Sequence, residues 1–98
     1  MPANTPDTSV PWATSLNYEV FPFADRSAAF AFPRNPPGLI VLGKLDWYLL
    51  ELFTSHSREA CVGEYSRLAR IDLSAAAADV DRRATAMANA GLIDVRVP

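Results

Sequence analysis

Hydrophobic and polar positions along the 98 residues follow two different periods. Leu16, Tyr18 and Val20 alternate with Asn17 and Glu19, and Phe30 and Phe32 alternate with Ala29 and Ala31. A period of two sends successive side chains to opposite faces of a strand, so both stretches are predicted strands, joined through the polar turn Asp25-Arg26-Ser27. Pro22 and Pro33 lack an N–H to donate and confine these strands to edges. Pro36-Pro37-Gly38 breaks the chain, and the apolar run Leu39 to Leu42, ended by Gly43, reads as a third strand. Before them, residues 1–15 carry Pro2, Pro6 and Pro11 among polar side chains. Too little apolar surface is available there to offset ordering, so a flexible N-terminal arm is predicted, with Trp12 as an anchor to the body or to a partner.

From Lys44 onward the period becomes helical. Leu45, Leu49, Leu52 and Phe53 form one stripe of a first helix, Lys44 to Ser55. Trp47, Tyr48 and Leu50 make that helix apolar nearly all round, so its second side must also be covered, by the aromatic N-terminal segment or by another protomer. A second helix fits Val62 to Arg70, with Val62, Tyr65, Leu68 and Ala69 inward. The connection Ile71-Asp72-Leu73 follows, and Asp72 or Ser74 caps a third helix running to about Ala90. Ala76 or Ala77, Val80, Ala84 and Met87 form its inner face, and Gly91 suits the left-handed residue that ends it. Leu92 to Val97 alternates again as one amphipathic strand.

Composition narrows the function classes. Sixteen of the 49 hydrophobic residues are alanine, which leaves a modest core for a single small domain. Nine basic against eleven acidic residues give a net charge of -2, which excludes a protein that coats nucleic acid by charge alone. The single cysteine, Cys61, excludes a disulfide framework and a multi-cysteine zinc site. It reads as a small buried residue, with a thiol sensor as the alternative. No apolar run approaches the ~18 residues of a spanning helix. Met1 to Val10 has neither a basic nor an apolar segment of a secretory signal, so a cytoplasmic chain is expected. Phosphate loops, nucleophile elbows and metal-ligand spacings are all missing, and His56 has no partner, so neither an enzyme nor a cofactor is expected.

Two helices joined by a short turn, the second followed by Gly-apolar-apolar and a strand, form the winged helix-turn-helix pattern. Tyr65-Ser66-Arg67-Leu68-Ala69-Arg70-Ile71-Asp72-Leu73-Ser74 resembles the positioning helix and turn of winged-helix regulators. Met87-Ala88-Asn89-Ala90-Gly91-Leu92-Ile93 resembles the end of their recognition helix and the start of the wing. The resemblance, to the MarR-like superfamily, covers roughly residues 45–97. It implies an α+β fold: a three-helix winged helix-turn-helix core over 44–98, a β-rich, aromatic and proline-containing extension over 16–43, and a short, incomplete wing.

The function implied by that resemblance is sequence-specific binding of double-stranded DNA by a small transcriptional regulator, a repressor acting as a homodimer. A projecting helix of about 10–12 Å diameter fits the major groove. Ala75, Ala78, Arg82 and Arg83 would face the groove, with Asp79 and Ala86 beside them. Ser74 would hold a phosphate at the helix N-terminus, Arg67 and Arg70 would meet the DNA backbone, and Arg96 in the wing strand is the remaining basic candidate. Trp12, Tyr18, Phe21, Phe23, Phe30, Phe32, Trp47 and Leu50 are the candidates for a dimer or partner interface. Residues 62–98 nevertheless hold five basic and five acidic side chains, so this module is neutral. That balance supports a second reading, a winged-helix adaptor or inhibitor that binds protein and not DNA. Leu39 to Leu42 pairing with Leu92 to Val97 would supply the missing wing partner.

Overall fold

The computed structural model describes residues 10–35 and 37–95. The fold is α+β, with three helices and, among the described residues, two small antiparallel sheets. Its strands are β1 (Ala13–Ser15), β2 (Tyr18–Pro22), β3 (Ala28–Pro33), β4 (Ile40–Gly43) and β5 (Ile93–Val95). Its helices are α1 (Lys44–Phe53), α2 (Arg58–Ala69) and α3 (Leu73–Asn89). One sheet has the order β2-β3-β4; the other pairs β1 with β5.

The pairing corrects three expectations. Strand β3, expected at an edge, is the central strand of its sheet, and Pro33 is tolerated because it ends the strand beyond the pairing with β4. Residues 10–15 are part of the body, since β1 pairs with β5 in the register Ala13↔Val95 to Ser15↔Ile93. Trp12 fixes the approach to this strand: its ring meets Phe53 edge-on at 5.3 Å, and its backbone N–H donates to the His56 carbonyl at 2.8 Å. The arm expected for residues 1–9 lies outside the described residues, as does Arg96. The C-terminal strand therefore takes β1 as its partner, whereas β4 pairs with β3 through Ala28↔Gly43 to Ala31↔Ile40. A hairpin-like return from β3 reaches β4 over a short loop, which is the entropically cheaper closure.

The alternation in β3 resolves with alanine inside and phenylalanine outside. Ala29 and Ala31 are 0% exposed, whereas Phe30 and Phe32 face out. The β-carbons of alanine let the sheet approach α1 closely, and Ala31 and Leu42 join the helices in one core with Leu49, Phe53, Val80, Met87 and Leu92. The aromatic segment thus covers the second side of α1 through its small residues. Leu50, expected at an interface, is 2% exposed and packed inside this layer, because α1 lies between the sheet and the other helices.

Local chemistry sets the helix ends. Ser57 caps α2, its hydroxyl accepting from the Ala60 N–H at 3.2 Å, so that helix begins well before Val62 and takes in Cys61. Asp72 caps α3, its carboxylate accepting from the Ala75 N–H at 2.7 Å; Ser74 lies inside the first turn. Arg70 closes α2 in the left-handed region (φ 56°, ψ 47°), and Gly91 follows α3 at φ 85°.

Candidate functional site

The third helix carries most of the residues expected to act, and the structure engages its arginines internally. Arg82 donates to Asp79 one turn back, although its side chain remains 72% exposed. Arg83 donates to Asp46 in the first turn of α1, and its guanidinium carbon lies 5.6 Å from the centre of the Tyr65 ring. Tyr65 in turn donates its hydroxyl proton to Asp79. The chain Asp46–Arg83–Tyr65–Asp79–Arg82 therefore ties all three helices together. Burial works against the charge on Arg83, but the Asp46 hydrogen bond and charge outweigh it and hold the group above the usual arginine range. Among the described residues its buried Nε has no acceptor, and an Asp79 carboxylate oxygen lies 3.9 Å from it.

The remaining positions of the DNA-facing set separate. Ser74, Ala75 and Ala78 are exposed on the N-terminal half of α3. Arg67 is exposed and pairs with Glu64 at 2.6 Å, and Arg70 is exposed at the α2–α3 corner. The structure does not gather one cationic surface from these groups.

A different site emerges where α3 faces the edge of the sheet. As the outer strand of β2-β3-β4, β4 leaves alternate N–H and C=O groups pointing away from β3. Beside it lies a groove of about 450 Å³, lined by Ile40, Val41 and Leu42 on one wall and by Arg83, Ala86, Met87 and Ala90 on the other. Leu92 contributes to its apolar lining, and Asp46 and Arg82 add polar groups. Ile40, Val41, Leu42, Met87 and Leu92 were read from the sequence as core or as simple strands, and Arg82, Arg83 and Ala86 as a DNA-facing surface. The sequence carried no signal of an open edge, since Leu39–Leu42 was expected to pair with Leu92–Val97.

The outer face of the sheet is aromatic. Phe21, Phe30 and Val41 form one row across the three strands, and Phe32 sits opposite Glu19 in the next. Phe21 meets Phe32 edge-on at 5.5 Å, and Phe30 lies 4.8 Å from Phe23. Tyr18, Phe23 and Trp47 are half-buried. Trp12 is also half-buried, and Arg58 sits 5.8 Å from the centre of its ring.

Other chemistry is sparse. Burial pushes the Cys61 thiol up to about 11, so it is protonated and unreactive at neutral pH. His56 lies past the end of α1, its Nδ1 within 2.7 Å of the Ser55 hydroxyl. Among the described residues no group of three or more His, Cys, Asp or Glu is arranged to hold a metal ion. No helix of the described residues is long and apolar enough to cross a membrane. Compared with known proteins, the chain matches no family model, no curated protein and no solved structure.

Proposed function

We propose that this chain is a protein-interaction module of winged-helix type, an adaptor that holds an extended peptide segment as an added strand on β4. The observation that carries this reading is the edge of β4, unpaired among the described residues, beside an apolar groove whose far wall is α3. Backbone hydrogen bonds from such an edge supply affinity without sequence preference, and alternate peptide side chains entering the adjoining groove supply selectivity. A strand places every second side chain on one face, so residues of the guest two apart would sit against Ala86, Met87 and Ala90. Arg82 gives the groove a polar end: its exposed ion pair with Asp79 is worth at most about 1 kcal/mol and can be exchanged for a guest carboxylate.

Duplex DNA binding is the second reading. Exposure of Ser74, Ala75 and Ala78 on the leading turns of α3 favours it. The Asp46 partner of half-buried Arg83 weighs against it, because that arginine would first have to leave Asp46 to reach a phosphate, and so does the neutral balance of residues 62–98.

Selection from a displayed library of random linear peptides, followed by hydrogen exchange on the complex, tests the adaptor reading. Enriched peptides are expected to slow exchange at Ile40–Gly43. Ala86→Glu, on an exposed helical position, is expected to weaken binding at least about tenfold, equivalent to about 1.4 kcal/mol, without loss of helicity. Tight duplex binding at low salt that falls steeply with added salt, with no peptide enriched, would return the assignment to DNA.

A further inference from the structure

The β2-β3-β4 sheet carries large apolar side chains on its outer face as well as on its inner one. In an antiparallel sheet covered on one side, the large apolar residues face the core and polar ones face water. Here β3 turns its alanines to the core beside Val20, Ile40 and Leu42, while Phe21, Phe30, Phe32 and Val41 face away from it, with Phe21 50% and Val41 58% exposed. Leu39, just before β4, is equally open. Together these five side chains leave on the order of 400 Å² of contiguous apolar surface uncovered, as much as the largest patch of a typical monomer.

We infer that this face is a homodimer interface, in which two copies stack their sheets face to face about a two-fold axis near Phe30. Area is the first argument. A standard interface removes about 800 Å² from each partner, and the aromatic patch supplies about half of that as a dry centre. The bordering groove of Glu19, Pro33, Arg34, Pro37 and Gly38 supplies a polar rim. Charge is the second argument. The rim's two charged groups, Glu19 and Arg34, already pair with each other, so the surface carries no net field to select an acidic or a basic partner. A surface that is apolar at its centre and neutral at its edge matches another copy of itself, and the net charge of -2 adds little repulsion. Aligned sheets pack about 10 Å apart, a spacing that phenylalanine side chains from both faces fill. The interface uses the face of the sheet and the peptide groove uses its edge; Val41 borders both, whereas Phe21 and Phe30 lie outside the groove, so variants at those two positions test the dimer alone.

Light scattering of the full chain, from micromolar to about a millimolar concentration, reads the association directly. A species of twice 10.7 kDa is expected at the upper end. Phe30→Asp and Phe30→Lys are each expected to be monomeric, and an equimolar mixture of the two is expected to regain the dimer, because opposite charges then meet at the axis. Circular dichroism reports whether each variant is folded; if either Phe30 variant is not, Phe21→Asp and Phe21→Lys at the more exposed neighbour take its place. A 10.7 kDa species at every concentration overturns the proposal. So does a dimer that the variants at both positions leave intact.

Discussion

At the scale of single residues, the corner between α2 and α3 shows backbone need and side-chain identity in conflict. Arg70 occupies the left-handed region, where a β-carbon crowds the following carbonyl, because the chain must fold back there for the Ile71 N–H to reach the Ser66 carbonyl at 3.2 Å. The Ser66 hydroxyl completes the turn by donating to the Ile71 carbonyl at 2.6 Å. Arg70→Gly is therefore expected to raise stability by about 0.5–1 kcal/mol in urea melts, whereas Arg70→Ala is expected to leave it unchanged or lower. Gly91 fills the equivalent place after α3 without strain, and that position was readable from sequence because glycine there is a strong local signal. Arg70 gave no such signal. Its charge drew it into a nucleic-acid surface, while its conformation depends on where α3 must begin.

At the scale of elements, the seam between α2 and α3 is held by a bidentate pair at its polar edge. Arg58 donates from Nε and Nη2 to the two oxygens of Asp81, at 2.9 and 2.8 Å. The Arg58 hydrogen bond holds the Asp81 carboxyl below the usual carboxylate range. A carboxyl that binds its proton less readily when folded adds stability above the unfolded value, near 3.9, and loses it as the pH falls through the lower folded one. Both side chains are substantially exposed, so screening limits the contribution to about 0.5–1 kcal/mol. Asp81→Asn is expected to cost that much at pH 7, and the gap to the wild type is expected to close near pH 2. The first turn of α2 was invisible in the hydrophobic pattern because Arg58 and Glu59 interrupt any stripe; only the Ser57 cap marks it. In β3 the alternation was legible but its direction was not. Period two separates two faces and says nothing about which of them meets α1, and close approach of the sheet selected the alanines.

At the scale of the whole molecule, the decisive contacts join residues far apart in sequence. Strand β1 finds its partner some eighty positions away in β5, and a pattern read in short windows contains no trace of that pairing. The open edge of β4 was hidden for the same reason, since a strand is an edge only by virtue of what fails to pair with it. Trp12 is the anchor of the long-range seam. Trp12→Ala is expected to cost about 2 kcal/mol of stability through lost contact with Phe53 and Arg58. Native-state hydrogen exchange is expected to show β1 and β5 opening before the helices; equal loss of protection throughout would show that the seam does not open independently. The antiparallel sense of β1 and β5 also governs how the protein bears force. Tension applied through the two flanks loads Ala13↔Val95 first and then each following pair in turn. Under traction the seam therefore peels at low load instead of shearing all at once, and it acts as a mechanical fuse ahead of the helical body.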